Sequence, residues 1–476
     1  MQLNLHRSPG SNWLALAAAL TVWGLPLVHP ALPIPLVGHD FTRLCQLTIV
    51  LLATLHWVIW PDSMPKLTGG AWPWFLLVAF VAASCALAAH PWIAVREVLV
   101  MVGLIVLAAR LHRPLMRAEA RRRTLDALAI GAAIYGVIWV LLLGLGSTSG
   151  TFFSPWDLTT GFDNARFLNH AQTVALPLVG VVAASADRAR WLRITAFVAL
   201  VCGGAILTLY LARSSILALL IGAIVMYCVF GRKIRAYVSA MTAGLALGSI
   251  LLGISWWLWI RAAVGSNMTD SLMAIHFRDY LNFRALDMWL ASPWFGVGPM
   301  HFSHAVNPIA AHAHDFFVQV LAEYGAPAAC LLAWLVGREV RPMIAALRRY
   351  HATEPTLAAG LCVASVAVLV DAAFSGNFVM PISQLWIALL LALLMSVKRW
   401  HESPAEEVDA FSSKAAHRAG WLAVRVALSM VMVAASASAF DEGLHRLPPH
   451  LETGEPMKQP IGEVEYSPRF WAHGWF

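Results

Sequence analysis

The sequence predicts an all-α, polytopic integral membrane protein with about 12–13 transmembrane helices, and three observations predict it. Hydrophobic residues make up 59% of the 476 residues and charged ones only 12%, with a mean hydropathy of +0.68; water alone does not solubilise such a chain. Apolar runs close to the roughly 20 residues that cross a hydrocarbon core recur from one end to the other. Basic residues gather between alternate runs.

The runs fall at about 11–29, 42–60, 71–90, 92–110, 124–145, 171–186, 191–212, 214–230, 236–260, 315–337, 355–373, 382–397 and 419–439. The first is long, lacks a small-residue cleavage site and is followed by further spans, so it reads as a retained signal anchor. Arg110, Arg113, Arg117 and Arg121 to Arg123 follow the fourth run, and Arg188 and Arg190 follow the sixth. Arg232, Lys233 and Arg235 follow the eighth; Arg338, Arg341, Arg348 and Arg349 the tenth; Lys398 and Arg399 the twelfth. These loops, with Arg7 at the N-terminal side, are cytoplasmic by the positive-inside rule. Loops 30–41, 146–170, 261–314 and 374–381 then face the other side, as does the tail from Asp441.

Residues 1–440 read as one membrane domain, and 441–476, rich in Pro, Glu and His, as a flexible tail too short for a core of its own. Of the outward loops only 146–170 and 261–314 are long enough to roof a cavity. In the second, Phe277, Leu281, Ala285 and Met288 have helical spacing, and Ser292–Pro293 ends that helix. The turn Pro293–Trp294–Phe295–Gly296–Val297–Gly298–Pro299 then reverses the chain.

Several function classes drop out. The net charge of +7 reflects topology and lipid contact, so no nucleic-acid partner is inferred. Cys45, Cys85, Cys202, Cys228, Cys330 and Cys362 lie in or beside runs without paired spacing, as buried thiols rather than disulfides or a metal site. No phosphate-binding glycine loop is present, which argues against an ATP-driven pump.

The polar groups that remain cluster outward. Arg213, in LYLARSSILALL, sits where two runs turn back on each other; it either snorkels to lipid phosphate or grips a substrate phosphate with its planar fork. Arg284 lies on the short helix near Arg278, with Arg261 at the end of the ninth run; surface salt bridges are the plainer role for Arg278. Arg166, with Asn164 and His170, can line the same cavity from the other loop. His312, His314 and Asp315 open the tenth run. A neutral imidazole there is a natural general base, Asp315 is placed to cap the helix or orient His314, and a metal site lacks a third and fourth ligand. Glu323, farther along, calls for an arginine partner from another span, and Glu97 is expected to pair with its neighbour Arg96.

The order LARSSILALL, FRALDMWLASPWFGVGPMHF, AHAHDFFVQVLAEYGAPA resembles the signature region of the O-antigen ligase and polymerase superfamily, over about residues 205–335. Asp315 stands where Asn, Ser or Gln is usual, and Ala328 where a second glycine follows Gly325. The resemblance implies a GT-C-like, metal-independent glycosyltransferase that needs no cofactor and works at the periplasmic face of the bacterial inner membrane. Its donor is a glycan on undecaprenyl pyrophosphate and its acceptor the lipid A core. By the same resemblance His314 is the general base, Arg213 and Arg284 hold the pyrophosphate, and Asp315, His312, Arg166, Arg261 and Arg278 line or orient the cavity. A glycan acceptor makes the protein a polymerase, and a protein hydroxyl makes it an O-oligosaccharyltransferase. Outside this class the rival is a secondary transporter, which predicts ionisable groups at the midplane and related halves.

Overall fold

The computed structural model describes residues 10–34, 36–60, 72–149, 154, 158–261, 278–305, 307, 309–399, 415–446 and 468–476. Among them there is no β-strand. Ten helices are long and apolar enough to cross a membrane; one of these, Arg213–Ile260, is broken at Gly231 into two, and the shorter apolar helices Leu16–Ala31 and Trp72–Leu87 fill the remaining runs. The chain is an all-α, multi-pass membrane protein, as its sequence predicts.

In order the helices are α1 (10–31), α2 (Gly38–Ile59), α3 (Trp72–Leu87), α4 (Pro91–Met116), α5 (Ala118–Thr148), α6 (Ala165–Ala184) and α7 (Arg190–Leu209). There follow α8 (Arg213–Phe230), α9 (Arg235–Ser255), α10 (Arg278–Ala291), α11 (Phe316–Tyr350), α12 (Pro355–Ala372), α13 (Pro381–Arg399) and α14 (Ala415–Asp441). α10, the short helix of the second outward loop, is neither one of the ten spans nor one of the two shorter apolar helices.

The bundle is organised around α6, whose apolar window is 100% buried. It packs against α5, α7, α9, α12 and α13. Its first turns carry buried Asn169, His170, Gln172 and Thr173, so the pillar of the bundle is polar at one end. The other end of the molecule holds the arginine-rich turns, and several of their cations are paired. Arg121 meets Glu354 at 2.8 Å, Arg122 meets Asp187 at 2.8 Å, Lys398 meets Glu339 at 2.6 Å, and Arg188 pairs with Asp126.

Three expectations are corrected. The part of the tail at 447–467 lies outside the described residues, but 468–476 is packed, with Arg469, Phe470 and Trp471 all buried; a dense set of aromatics around one arginine fills a polar gap between α2, α4 and α13. Glu97 does not pair with its neighbour: Arg96 reaches Glu442 at 2.5 Å, and Glu97 lies 3.6 Å from Arg469. All six cysteines are free, with Cys228 and Cys330 on exposed helix faces rather than in the core.

Candidate active site at one end of the bundle

Arg166 is the second residue of α6. Asn164 caps this helix, its side chain accepting from the Arg166 N–H at 2.8 Å. One residue earlier, Asp163 sits at φ 57° and its carboxylate accepts from the backbone N–H groups of Gly38, at 2.9 Å, and His39, so the loop before α6 also caps α2.

Arg213 is the first residue of α8. The α7–α8 turn is closed by Ala212 N–H on Leu207 O at 2.9 Å, with Leu211 at φ 44°. This is the tight hairpin that the sequence requires if Arg213 is to stand at the bundle end. Arg278 opens α10.

The loop from Pro293 to Asp315 positions His314. Its first part is zipped to α11 at the point where that helix breaks, at Gly325 (φ 79°, ψ 167°). Val297 N–H donates to Ala322 O at 2.9 Å, Gly298 N–H to Glu323 O at 3.0 Å, and Ala326 N–H to Pro293 O at 2.9 Å. The approach is backbone on backbone: a Cβ on Gly325 would lie 2.4 Å from Trp294 O. Hence the glycines of the Pro/Gly turn and of α11 serve one contact.

At the end of the loop Asp315 is the N-cap of α11, its Oδ1 accepting from Phe317 N at 2.9 Å and Val318 N at 3.1 Å. That is the helix-capping role. Burial pushes its carboxyl above the usual range, and the two N–H donors oppose the shift. The neighbour of His314 is instead His312: its Nδ1 accepts from the His314 backbone N–H at 3.3 Å, and the two rings meet edge to face with centroids 4.1 Å apart. His314 itself sits at φ 57°. Residue Gly376, from the α12–α13 turn, lies against His312, where a Cβ would be 2.6 Å from Cε1.

The electrostatics draw these elements together. Burial, followed by His312, Arg166, Arg278 and His170, pushes the His314 imidazole well below its usual 6.5. Burial, then Arg469, His170, Arg166 and His39, does the same to His312. Arg278 is lowered by burial and next by Arg213, with Asp371 opposing. Both imidazoles are therefore neutral near pH 7 and able to accept a proton. Arg166, Arg213 and Arg278, from three separate elements, bear on one another. Among the described residues none of the three makes an ion pair.

Two of the sequence-predicted cations stand apart. Arg284, half-buried on α10, donates through Nη2 to Ala305 O at 3.0 Å and so holds the loop. Exposed Arg261 lies over the Trp257 ring, 5.6 Å from its centroid. Among the described residues no group of three His, Cys, Asp or Glu is arranged to hold a metal ion.

Sequence reasoning missed Asp371. It is fully buried near the end of α12, 3.2 Å from His170 Nδ1, though off the angle for a hydrogen bond. Its signal was available, because it is the one charged residue within the run 355–373.

Fold and site together define a polytopic α-helical membrane protein with a cationic, histidine-containing centre at one end of its bundle. Residues 197–333 match the family model described as O-antigen ligase. The match supports membership of the O-antigen ligase superfamily and, in general terms, ligase- or polymerase-type glycan transfer on lipid-linked glycans. It spans Arg213, Arg278, Arg284 and His314, and leaves out Arg166 and Asp371. No curated protein matches the chain in sequence.

Proposed function

We propose that the protein transfers a glycan from undecaprenyl pyrophosphate to an acceptor hydroxyl at the periplasmic face of the bacterial inner membrane, and that the acceptor is the core sugar of lipid A. The observation that carries this reading is the set of three arginines, without ion pairs among the described residues, beside a neutral imidazole. Gathered guanidinium groups raise one another's energy, Asp371 offsetting part of this at Arg278, and a pyrophosphate relieves the rest. At the opposite end of the bundle Arg121, Arg122 and Arg188 instead face carboxylates.

In this mechanism His314 takes the proton from the acceptor hydroxyl as its oxygen attacks the anomeric carbon. The bond from that carbon to the pyrophosphate oxygen breaks, and the lipid pyrophosphate leaves with the electron pair. Arg166, Arg213 and Arg278 meet the charge that develops on it, as preorganised cations do in a water-poor cavity. A single displacement inverts the anomeric centre. Neither nucleotide nor metal enters the scheme.

Purified protein in nanodiscs, offered a lipid-linked glycan with lipid A core, free glycan or a peptide in turn, tests the reading. Transfer to lipid A core is expected, and product with glycan or peptide alone reassigns the acceptor. His314→Ala should abolish transfer yet still bind donor; full activity would remove the base. Arg166→Ala, Arg213→Ala and Arg278→Ala should each weaken donor binding about tenfold or more. Arg284→Ala is the comparison: an equal loss of donor affinity restores Arg284 to the pyrophosphate site, and an unchanged affinity leaves it with the loop.

A further inference from the structure

We infer that Arg469 is a positioning residue for this site, and that residues 468–476 are a built-in part of its frame. Arg469 is buried, as is Glu323 on α11. Its Nη2 donates to Glu323 Oε2 at 2.7 Å. The other carboxylate oxygen, Oε1, accepts from Phe302 N–H at 3.0 Å, and the Glu323 backbone oxygen accepts from Gly298 N–H at 3.0 Å and Ser84 Oγ at 2.9 Å. One residue thus ties together α3, α11 and the loop that leads to His314, and Arg469 fixes its side chain.

A second route runs through Arg43. Its guanidinium donates to the carbonyls of Phe470 at 3.0 Å and Arg469 at 3.2 Å, and also to Val379 O at 2.6 Å. Val379 belongs to the α12–α13 turn whose Gly376 lies against His312. Asp40 completes the seat by accepting from Ala472 N–H at 2.7 Å, and Arg96 lies over the Phe470 ring, 4.3 Å from its centroid. The segment therefore reaches the two histidines from both sides.

Stability alone does not call for this arrangement. Replacing a buried ion pair by uncharged groups is often neutral or favourable, whereas removing one partner is not. What the pair supplies is a fixed direction for the Glu323 carboxylate, which an apolar contact does not give. A displacement of about 1 Å at a reacting group lowers turnover by about 100-fold.

The kinetic part of the inference rests on the glycan-transfer reading; the conformational part does not. The test compares wild type, Arg469→Gln and the triple variant Glu97→Gln/Glu323→Gln/Arg469→Gln in nanodiscs, by hydrogen–deuterium exchange and by transfer kinetics with the lipid-linked donor. In Arg469→Gln the amides of residues 297–302 should exchange about tenfold faster while α7 and α8 are unchanged. Its kcat should fall by about 100-fold with donor affinity within about threefold, because Arg166, Arg213 and Arg278 are untouched.

The triple variant leaves neither Glu323 nor Glu97, 3.6 Å from Arg469, as a newly unpaired charge, so it keeps the test decisive where the single variant does not fold. It should melt closer to wild type than Arg469→Gln yet remain slow and loosely protected at 297–302. Recovery of both exchange and turnover in the triple variant would reduce Arg469 to charge balance and overturn the inference. Wild-type protein that transfers no glycan refutes the proposed function alone, and the exchange comparison then decides the role of Arg469 by itself.

Discussion

Replacing Gly296 by alanine isolates the contact on which the site loop depends. The new Cβ would lie 2.3 Å from the backbone carbon of Glu323 and 2.4 Å from its oxygen, and Gly296 sits at φ +67°. Both partners are backbone, so no side chain can swing away, and overpacking of this kind costs about 1–3 kcal/mol. The left-handed conformation adds about 1–2 kcal/mol for any residue with a Cβ. Together these reach about 2–5 kcal/mol, a large share of an ordinary folding free energy. Two controls separate the causes. Gly231 also has positive φ, at +65°, but nothing lies within 4 Å of its Cβ position, so Gly231→Ala should carry the conformational part alone. Gly337 has open space and no positive φ, and Gly337→Ala should be neutral or gain up to about 1 kcal/mol of helix propensity. Apparent melting temperatures in one nanodisc preparation should fall in the order Gly337→Ala, Gly231→Ala, Gly296→Ala. Glycan transfer should be lost in Gly296→Ala alone, because only that residue faces Glu323 and the loop to His314. Equal melting of Gly231→Ala and Gly296→Ala, or equal loss of transfer in both, would refute the contact argument.

Two further outcomes follow from the same geometry. Asp315→Ala should destabilise by about 1 kcal/mol through loss of the cap, whereas Asp315→Asn keeps a capping oxygen and should stay within a few tenths; a loss of transfer in Asp315→Asn beyond about tenfold would give the carboxylate a role at His314 as well. The folded-state affinities of His312 and His314 for protons lie well below their ordinary 6.5, so below that pH the unfolded chain binds more protons than the folded one. Stability is therefore full above about pH 7 and declines as pH falls below about 6.5 towards the folded-state values. Melting of the donor-free protein at pH 5 and pH 8 checks the sign, and the difference should shrink in the double variant His312→Asn/His314→Asn; a higher melting point at pH 5 would contradict it.

The spans were legible because they depend on local composition: each apolar run is long enough to cross a bilayer and needs no partner to be recognised. Arg213 and His314 were legible for the related reason that each interrupts or opens such a run. Arg278 was visible too, as a surface salt-bridge residue or a cavity-lining one, since nothing local distinguishes it from Arg284 one and a half turns on. What separates them is their surroundings: Arg278 bears electrostatically on His314 and feels Arg213, and Arg284 donates to the Ala305 carbonyl. The role of Glu323 was half legible. A buried carboxylate demands a cation, yet its partner Arg469 lies 146 residues away in a segment whose Pro, Glu and His content reads as unstructured. Pairings of that range leave no periodicity for a sequence to display.

Backbone strain marks the same end of the bundle as the unpaired cations do. Among the described residues, positive φ at a residue other than glycine occurs at Asp163, Leu211, Met300 and His314. Asp163 precedes Arg166 by one turn, Leu211 precedes Arg213 by two residues, and Met300 lies in the loop held by Glu323. Each such conformation costs about 1–2 kcal/mol and persists only where surrounding contacts over-determine it. Here those contacts are the caps on α2 and α6, the α7–α8 hairpin closure and the zipped Pro/Gly turn, all of which set the direction of a cation or of the imidazole. A chain folded for stability alone would relax these positions and pair its arginines, as it does with Arg121, Arg122 and Arg188 at the opposite end. Holding both strain and uncompensated charge at one place fits a pocket whose missing partner is an anionic ligand, and the ligand's binding energy then offsets part of what the folded, empty site leaves unmet.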